Sequence, residues 1–195
     1  MILNWLKKRK ERNRPDIKLH VGCGENYFDG WINVDIDSSK ADIFHDLAKP
    51  LWFYDNTVDF IYSEHFIEHI GINHAQNMFK EFYRVLKPGG ILRIATLDLD
   101  YLVKKYVSAS WKDQDWIETY NYQWIQTRAE MLNVCFREWG HQYLYDAEEL
   151  ERRLREVGFG KILRQEWNVS MCAELANRET RKDSKLIIEA VKQAR

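Results

Sequence analysis

The sequence predicts one α/β domain whose mostly parallel β-sheet presents a ligand site at the carboxyl ends of its strands. Three observations carry this expectation. Short apolar runs recur between residues 17 and 96, separated by loops or a helical pattern. The stretch "EFYRVLKPGGILRIAT" joins a helix to a strand through proline and two glycines. In "KLHVGCGENYFDGWINVDID" (Lys18–Asp37) one apolar run ends in two glycines and the next ends in carboxylates.

The elements follow in order. Pro15 marks a boundary, and "IKLHV" (Ile17–Val21) reads as a buried strand closed by Gly22 and Gly24. "WINVDI" (Trp31–Ile36), "ADIFHDL" (Ala41–Leu47) and "VDFIYS" (Val58–Ser63) read as the next three strands. A helix is expected over Asn73–Leu86, with Met78, Phe79, Phe82, Val85 and Leu86 at helical spacing, ended by "KPGG". "ILRIAT" (Ile91–Thr96) makes a fifth strand. This alternation describes a Rossmann-like half-chain. From Asp98 to Trp139 the pattern turns helical and aromatic. "DAEELERRLREVGF" (Asp146–Phe159) is a further helix, with Asp146 as N-cap, Glu149 three residues on and Gly158 after its end. "KILRQEW" (Lys161–Trp167) and "KLIIEAV" (Lys185–Val191) read as two last strands.

The 195 residues suffice for one good core, so residues 15–195 are expected to form a single domain, with 98–141 an aromatic helical insertion within it. At 45% hydrophobic, 14% aromatic and a formal net charge of -1, the chain has the composition of an ordinary globule, and its charge gives no footing for nucleic acid. Residues 1–14 differ. They join an apolar start, with Ile2, Leu3, Trp5 and Leu6, to the basic run "KKRKERNR", which suits weak peripheral contact with anionic lipid. The apolar part is too short to span a membrane or form a signal core. Cys23, Cys135 and Cys172 lie far apart without a CxxC pair, so neither a zinc knuckle nor a disulfide framework is indicated and a reducing cytoplasm is the expected home.

Glycines at a strand end let the backbone approach a ligand, and an acidic residue at the next strand end can accept hydrogen bonds from ribose hydroxyls. The pairing suggests an adenosine-containing cofactor. A dinucleotide fits poorly: Tyr27 stands where a third glycine belongs, and Asp35 follows Gly22 by 13 positions instead of about 20. Only ten residues separate Val21 from Ile32, leaving no room for a pyrophosphate-binding helix of normal length.

With these motifs in order, the chain resembles the class I S-adenosylmethionine-dependent methyltransferases, from about Ile17 to Thr96 and again at "GHQYLYDAEELERRLREVGF". The resemblance implies that family's fold, with helices on both sheet faces and an antiparallel C-terminal strand. It also implies S-adenosylmethionine as cofactor, S-adenosylhomocysteine as product and methylation of an oxygen or nitrogen acceptor. Gly22, Cys23 and Gly24 would pass close to the methionine part, Asp35 would hold the ribose, and Asp46 with Leu47 would border the adenine. Ser63, Glu64 and His65 would lie near the sulfonium. His20 stands where the family often has an acid, so the methionine amino group would be held differently. Asp37 is the alternative to Asp35. Relatives of this small type imply a sugar or cell-envelope glycan acceptor.

His65 and His141 are candidate general bases for a hydroxyl acceptor. The aromatic segment, placed after the fifth strand, suits a substrate cap that stacks on sugar rings or attracts a sulfonium. Two competing functions remain: a scaffold that binds the cofactor without turnover, and a zinc hydrolase, because "HFIEH" (His65–His69) fits H-x-x-E-H with both histidines on one helical face. The first covers the same residues, and the second covers only five, so no metal is expected.

Overall fold

In the computed structural model, which describes residues 15–193, seven strands form one sheet in the order β3-β2-β1-β4-β5-β7-β6. The strands are β1 (Lys18–Val21), β2 (Ile32–Asp35), β3 (Ile43–Phe44), β4 (Val58–Glu64), β5 (Leu86–Thr96), β6 (Phe159–Arg164) and β7 (Leu186–Lys192). Strands β1 to β5 run parallel, and β7 is antiparallel to both its neighbours, as expected. The chain steps outward from β1 to β2 and β3, then returns to place β4 on the other side of β1. That reversal opens a crevice at the carboxyl ends of β1 and β4, where open α/β sheets bind ligands. The basic segment 1–14 lies outside the described residues.

Helices α1 (Ile72–Val85) and α5 (Ala147–Val157) pack on one sheet face. Met78, Phe79 and Phe82 of α1 and Leu150 and Leu154 of α5 join Leu19, Val21, Ile61, Leu92 and Ile94 in the main core. The α5 ends are set as the sequence indicates: Asp146 Oδ1 accepts the Glu149 N–H at 2.9 Å, and Gly158 adopts φ +112°.

The opposite face carries an aromatic layer. His20 stacks on Phe28 at 4.1 Å, and Trp31, Tyr62 and Leu175 complete the group. Since the crossover from β1 to β2 contains only turns, much of the cover here comes from irregular chain, residues 27–31 and a strap from 166 to 184. The strap is anchored by charge as well as by Leu175. Buried Arg93 on β5 donates to Glu179 and Glu189, both at 2.6 Å, and to the Val169 carbonyl at 3.0 Å.

Three boundaries differ from expectation by more than one residue. The third strand shrinks from seven residues to Ile43–Phe44 because it is an edge strand held only by β2. "KPGG" does not separate helix from strand: Leu86 already pairs with Val58, and residues 87–90 form an irregularity before Ile91 pairs with Phe60. The sixth strand ends at Arg164, where the strap begins soon after.

The segment after β5 is helical, comprising α2 (Leu99–Val107), α3 (Asp115–Thr119) and α4 (Arg128–Arg137), then a 3-10 turn at Glu138–Gly140. It builds its own apolar cluster from Leu102, Trp111, Trp116, Ile117, Met131 and Val134, which meets the sheet end at Leu97. Several of its aromatics are therefore core residues, while Tyr120, Trp124 and Trp139 keep exposed surface.

Candidate active site

The loop after β1 is fixed by the backbone of β2. Gly22 and Cys23 N–H groups both donate to the Val34 carbonyl, at 2.9 and 3.2 Å. Gly22 and Gly24 adopt φ of +64° and +50°, which favours glycine at both, yet their surroundings differ. A Cβ on Gly22 would lie 2.2 Å from Phe66 Cγ, whereas one on Gly24 would meet nothing within 4 Å. Gly22 thus permits close packing of the β4 end, and Gly24 is the glycine that faces open space. Cys23 is buried, and burial, with the Asp35 charge, pushes its thiol up to about 11, so it stays an inert small residue.

Asp35, at the end of β2, turns its carboxylate toward this loop. One oxygen accepts the Gly24 N–H at 2.9 Å and the other the Asp37 N–H at 3.0 Å. Each oxygen retains a lone pair for a further donor. Asp37 itself is exposed loop, and Ile36 between them is 65% exposed, an apolar surface beside a carboxylate that the sequence reading passed over. Asp46 sits in a turn after β3, where it accepts the Ala48 N–H at 3.0 Å, the first cause of its lowered pKa. The Leu47 side chain is directed into the main core.

His20 does not present its ring as a free ligand group. It is buried, bonded through Nδ1 to Asn33 Oδ1 at 3.2 Å, and burial lowers its pKa to about 4, leaving it neutral. Ser63 lies one register step beyond the His20–Tyr62 pair, and its buried hydroxyl has no hydrogen-bond partner among the described residues. Glu64 is fully engaged by the strap. It accepts from the Thr180 N–H at 3.0 Å, the Thr180 hydroxyl at 2.7 Å, the Arg181 N–H at 3.0 Å and the Ser184 hydroxyl at 3.0 Å.

Beyond Glu64 the chain enters a cavity of about 280 Å³, lined by His65, His69, Leu97, Trp116, Tyr120, Cys135, Trp139, His141, Arg181 and Asp183. It lies at the carboxyl ends of β4 and β5, lined by the aromatic insertion and by Arg181 and Asp183 of the strap. His65 and Trp139 hold φ of +47° and +58°; every other described residue with positive φ is glycine or asparagine. Bulky side chains in this region carry backbone strain, and both instances line one cavity.

The three histidines have different surroundings. His65 Nδ1 is 3.0 Å from Glu68 Oε1, and its Nε2 is 3.1 Å from Ser184 Oγ and 3.9 Å from Asp183. Burial opposes its charge, but the Glu68 contact and the Asp183 charge prevail and hold its pKa above the usual value. Glu68, whose Oε2 accepts from Thr96 at 2.8 Å, is held well below the usual carboxylate range: burial opposes this, and His65 outweighs it. His141 Nδ1 donates to the Cys135 carbonyl at 2.6 Å. His69 packs against it with ring centroids 4.9 Å apart, and burial, with the charges of His141, His65 and Arg181, lowers its pKa.

This geometry corrects the zinc-hydrolase alternative. Residues 67–69 form a 3-10 turn preceded by left-handed His65, so His65 and His69 do not share an α-helical face. His65 is also occupied at both nitrogens. The metal-capable group among the described residues is instead Glu68, His69 and His141, whose ligand atoms lie within 4.8 Å of one another. None of the helices is long and apolar enough to cross a membrane among the described residues.

A family model described as a methyltransferase domain matches residues 11–163. The chain belongs to this methyltransferase-domain family. No curated protein matches its sequence. Among solved structures, it is similar to a SAM-dependent methyltransferase of Thermotoga maritima at 17% identity and TM-score 0.57, covering 93% of this chain and 84% of that one. A SAM-dependent methyltransferase of Archaeoglobus fulgidus aligns at 16% identity and TM-score 0.54, covering 91% and 86%. Phosphoethanolamine N-methyltransferase 2 of Haemonchus contortus, solved with S-adenosyl-L-methionine, aligns at 16% identity and TM-score 0.51 over 98% of this chain but only 52% of its own. The chain therefore spans about half the length of that relative. These likenesses establish the Rossmann-like methyltransferase fold.

Proposed function

We propose that the protein transfers a methyl group from S-adenosylmethionine to an acceptor held in the His65–Trp139 cavity. The supporting observation is the juxtaposition of two half-sites at the carboxyl end of one sheet: the Gly22–Gly24 loop with Asp35, and, past Glu64, a cavity with strained walls and three histidines. The residues present fit the cofactor at its nucleoside end. Asp35 has spare acceptor capacity beside the open side of Gly24, Ile36 offers an apolar surface for a flat base, and Asp46 lies at the neighbouring strand end. The orphaned Ser63 hydroxyl marks an unfilled polar position at the β4 end. When bound, S-adenosylmethionine supplies a methyl group on a good leaving group, so the protein's task is alignment and exclusion of water.

On the acceptor side, the aromatic insertion acts as the cap, with Tyr120 and Trp139, backed by buried Trp116, giving ring faces that suit a sugar or a flat acceptor. The proton of a hydroxyl acceptor passes to His69, assisted by His141. His65, the base expected from sequence, is a poorer choice because its nitrogens are occupied and its charged form is favoured. His69 is kept neutral and its ring carries no hydrogen bond among the described residues. The test is a radiolabelled methyl-transfer assay with sugar and glycan-precursor acceptors, comparing wild type with His69→Asn. Transfer that the substitution abolishes while cofactor binding persists supports the reading; equal turnover removes His69 from it.

A further inference from the structure

We infer that the acceptor carries an oxyanion, a carboxylate or a phosphate, which the Arg181 guanidinium binds at the cavity. The inference rests on the reading above that this cavity receives the acceptor. Arg181 lines the cavity from the strap, and the aromatic insertion lines it too. Its backbone is fixed on both sides: the N–H donates to Glu64 Oε1 at 3.0 Å, and the carbonyl accepts from Trp167 Nε1 at 3.1 Å. The root of the side chain is thus held while the guanidinium has no hydrogen-bond or ion-pair partner among the described residues.

Arg181 is exposed, like the equally unpaired Arg137, but it lines the cavity. Arg84, Arg93, Arg152, Arg153 and Arg164 each bond a carboxylate at 3.0 Å or less. At the cavity, the charges of His65, Glu68, Asp183 and Arg181 balance in number but not in contact. Glu68 and Asp183 are both directed to His65, at 3.0 and 3.9 Å, and no carboxylate lies within ion-pair distance of Arg181. Its field still reaches the site, since it lowers the proton affinity of His65 and His69. A guanidinium presents a planar fork that matches carboxylate or phosphate oxygens in pairs. Seated beside Trp116, Tyr120 and Trp139, that fork selects a ring-bodied acceptor with an acidic substituent over its neutral counterpart.

The experiment is a ligand-observed NMR titration of the full chain, saturated with S-adenosylhomocysteine, with glucose, glucuronate and glucose 6-phosphate as probes sharing one ring. At least one acidic probe is expected to bind about tenfold more tightly than glucose, and the better of the two identifies the oxyanion. Arg181→Gln should erase that preference, Arg181→Lys should keep part of it, and neither should alter binding of S-adenosylhomocysteine. Equal affinities, no binding by any probe, or a preference that survives Arg181→Gln overturns the inference. Should the folded wild type fail to bind S-adenosylhomocysteine, the cofactor reading fails by itself, and the same titration on the cofactor-free chain still decides the role of Arg181.

Discussion

Glu64 and Thr180, 116 positions apart in sequence, are joined twice: the Glu64 carboxylate accepts from the Thr180 N–H at 3.0 Å and from its hydroxyl at 2.7 Å. With Arg181 and Ser184 also bonded to it, this carboxylate fastens the strap across the sheet end. The strap in turn touches the glycine loop, since Asn26 Nδ2 donates to Thr180 Oγ1 at 3.2 Å. Glu64 thereby ties the glycine loop to the histidine-lined cavity. Glu64→Gln keeps the shape but replaces one acceptor oxygen with a donor and removes the charge. It is expected to cost about 2 kcal/mol of stability and to speed amide exchange selectively in residues 178–185. Unchanged exchange there would show that the strap is held by Arg93 and Leu175 alone.

The two glycines of the first loop separate packing from ligand approach. Gly22→Ala would place a methyl group inside the Phe66 ring's space at an unfavourable φ, so it is expected to destabilise by several kcal/mol, on the order of 3. Gly24→Ala bears only the backbone penalty, about 1–2 kcal/mol, and should weaken cofactor binding more than it weakens the fold. Chemical denaturation and calorimetric titration of both variants measure the contrast; equal losses in stability would contradict it.

His20 gives the fold a pH dependence of known sign. Its folded pKa, about 4, lies below the ordinary 6.5, so the unfolded chain binds the extra proton between these values. Stability should therefore fall as pH drops from 6.5 to 4, by about 1.4 kcal/mol per unit from this residue. Urea denaturation at several pH values should show a shallower dependence in His20→Phe, which keeps the stacking on Phe28 and cannot titrate. Parallel curves for the two proteins would refute the assignment.

His69 and His65 should have opposite signatures in turnover. Because His69 is held below the usual histidine pKa, the rate with a hydroxyl acceptor should rise with pH at mildly acidic values and level off before neutrality. His69→Asn should lower kcat by about 10²- to 10⁴-fold and remove that limb. His65→Asn should instead reduce stability, most at acidic to neutral pH, because a raised pKa contributes stability that is lost as pH rises through it. A pH limb that survives His69→Asn would assign the base elsewhere.

The sheet was legible because its strands are short apolar runs closed by turn residues, and the α5 caps because Asp146 and Gly158 act through local backbone geometry. The weak points were long-range. Nothing local in "ADIFHDL" reveals that it forms an edge with a single neighbour, and the pairing of Leu86 with Val58 depends on a partner 28 residues away. At the site, the glycines and Asp35 were readable as strand-end chemistry. The strap contacts of Glu64 and the placement of Arg181 at the cavity were not, since residues 166–184 carry no periodic pattern and their position is set by Arg93, Glu179 and Leu175. The cavity position of His69 was not legible either, because it is created by the 3-10 turn and by His141, 72 positions later.

The central claim is that the Gly24–Asp35 half-site holds the nucleoside of S-adenosylmethionine. Calorimetric titration of purified protein with S-adenosylhomocysteine, beside Asp35→Asn, tests it most directly. The account predicts one-to-one binding by the wild type and an affinity lowered by about 10- to 100-fold in the variant, with the fold retained by circular dichroism. Absence of binding by well-folded wild type, or equal affinity in both proteins, would contradict it.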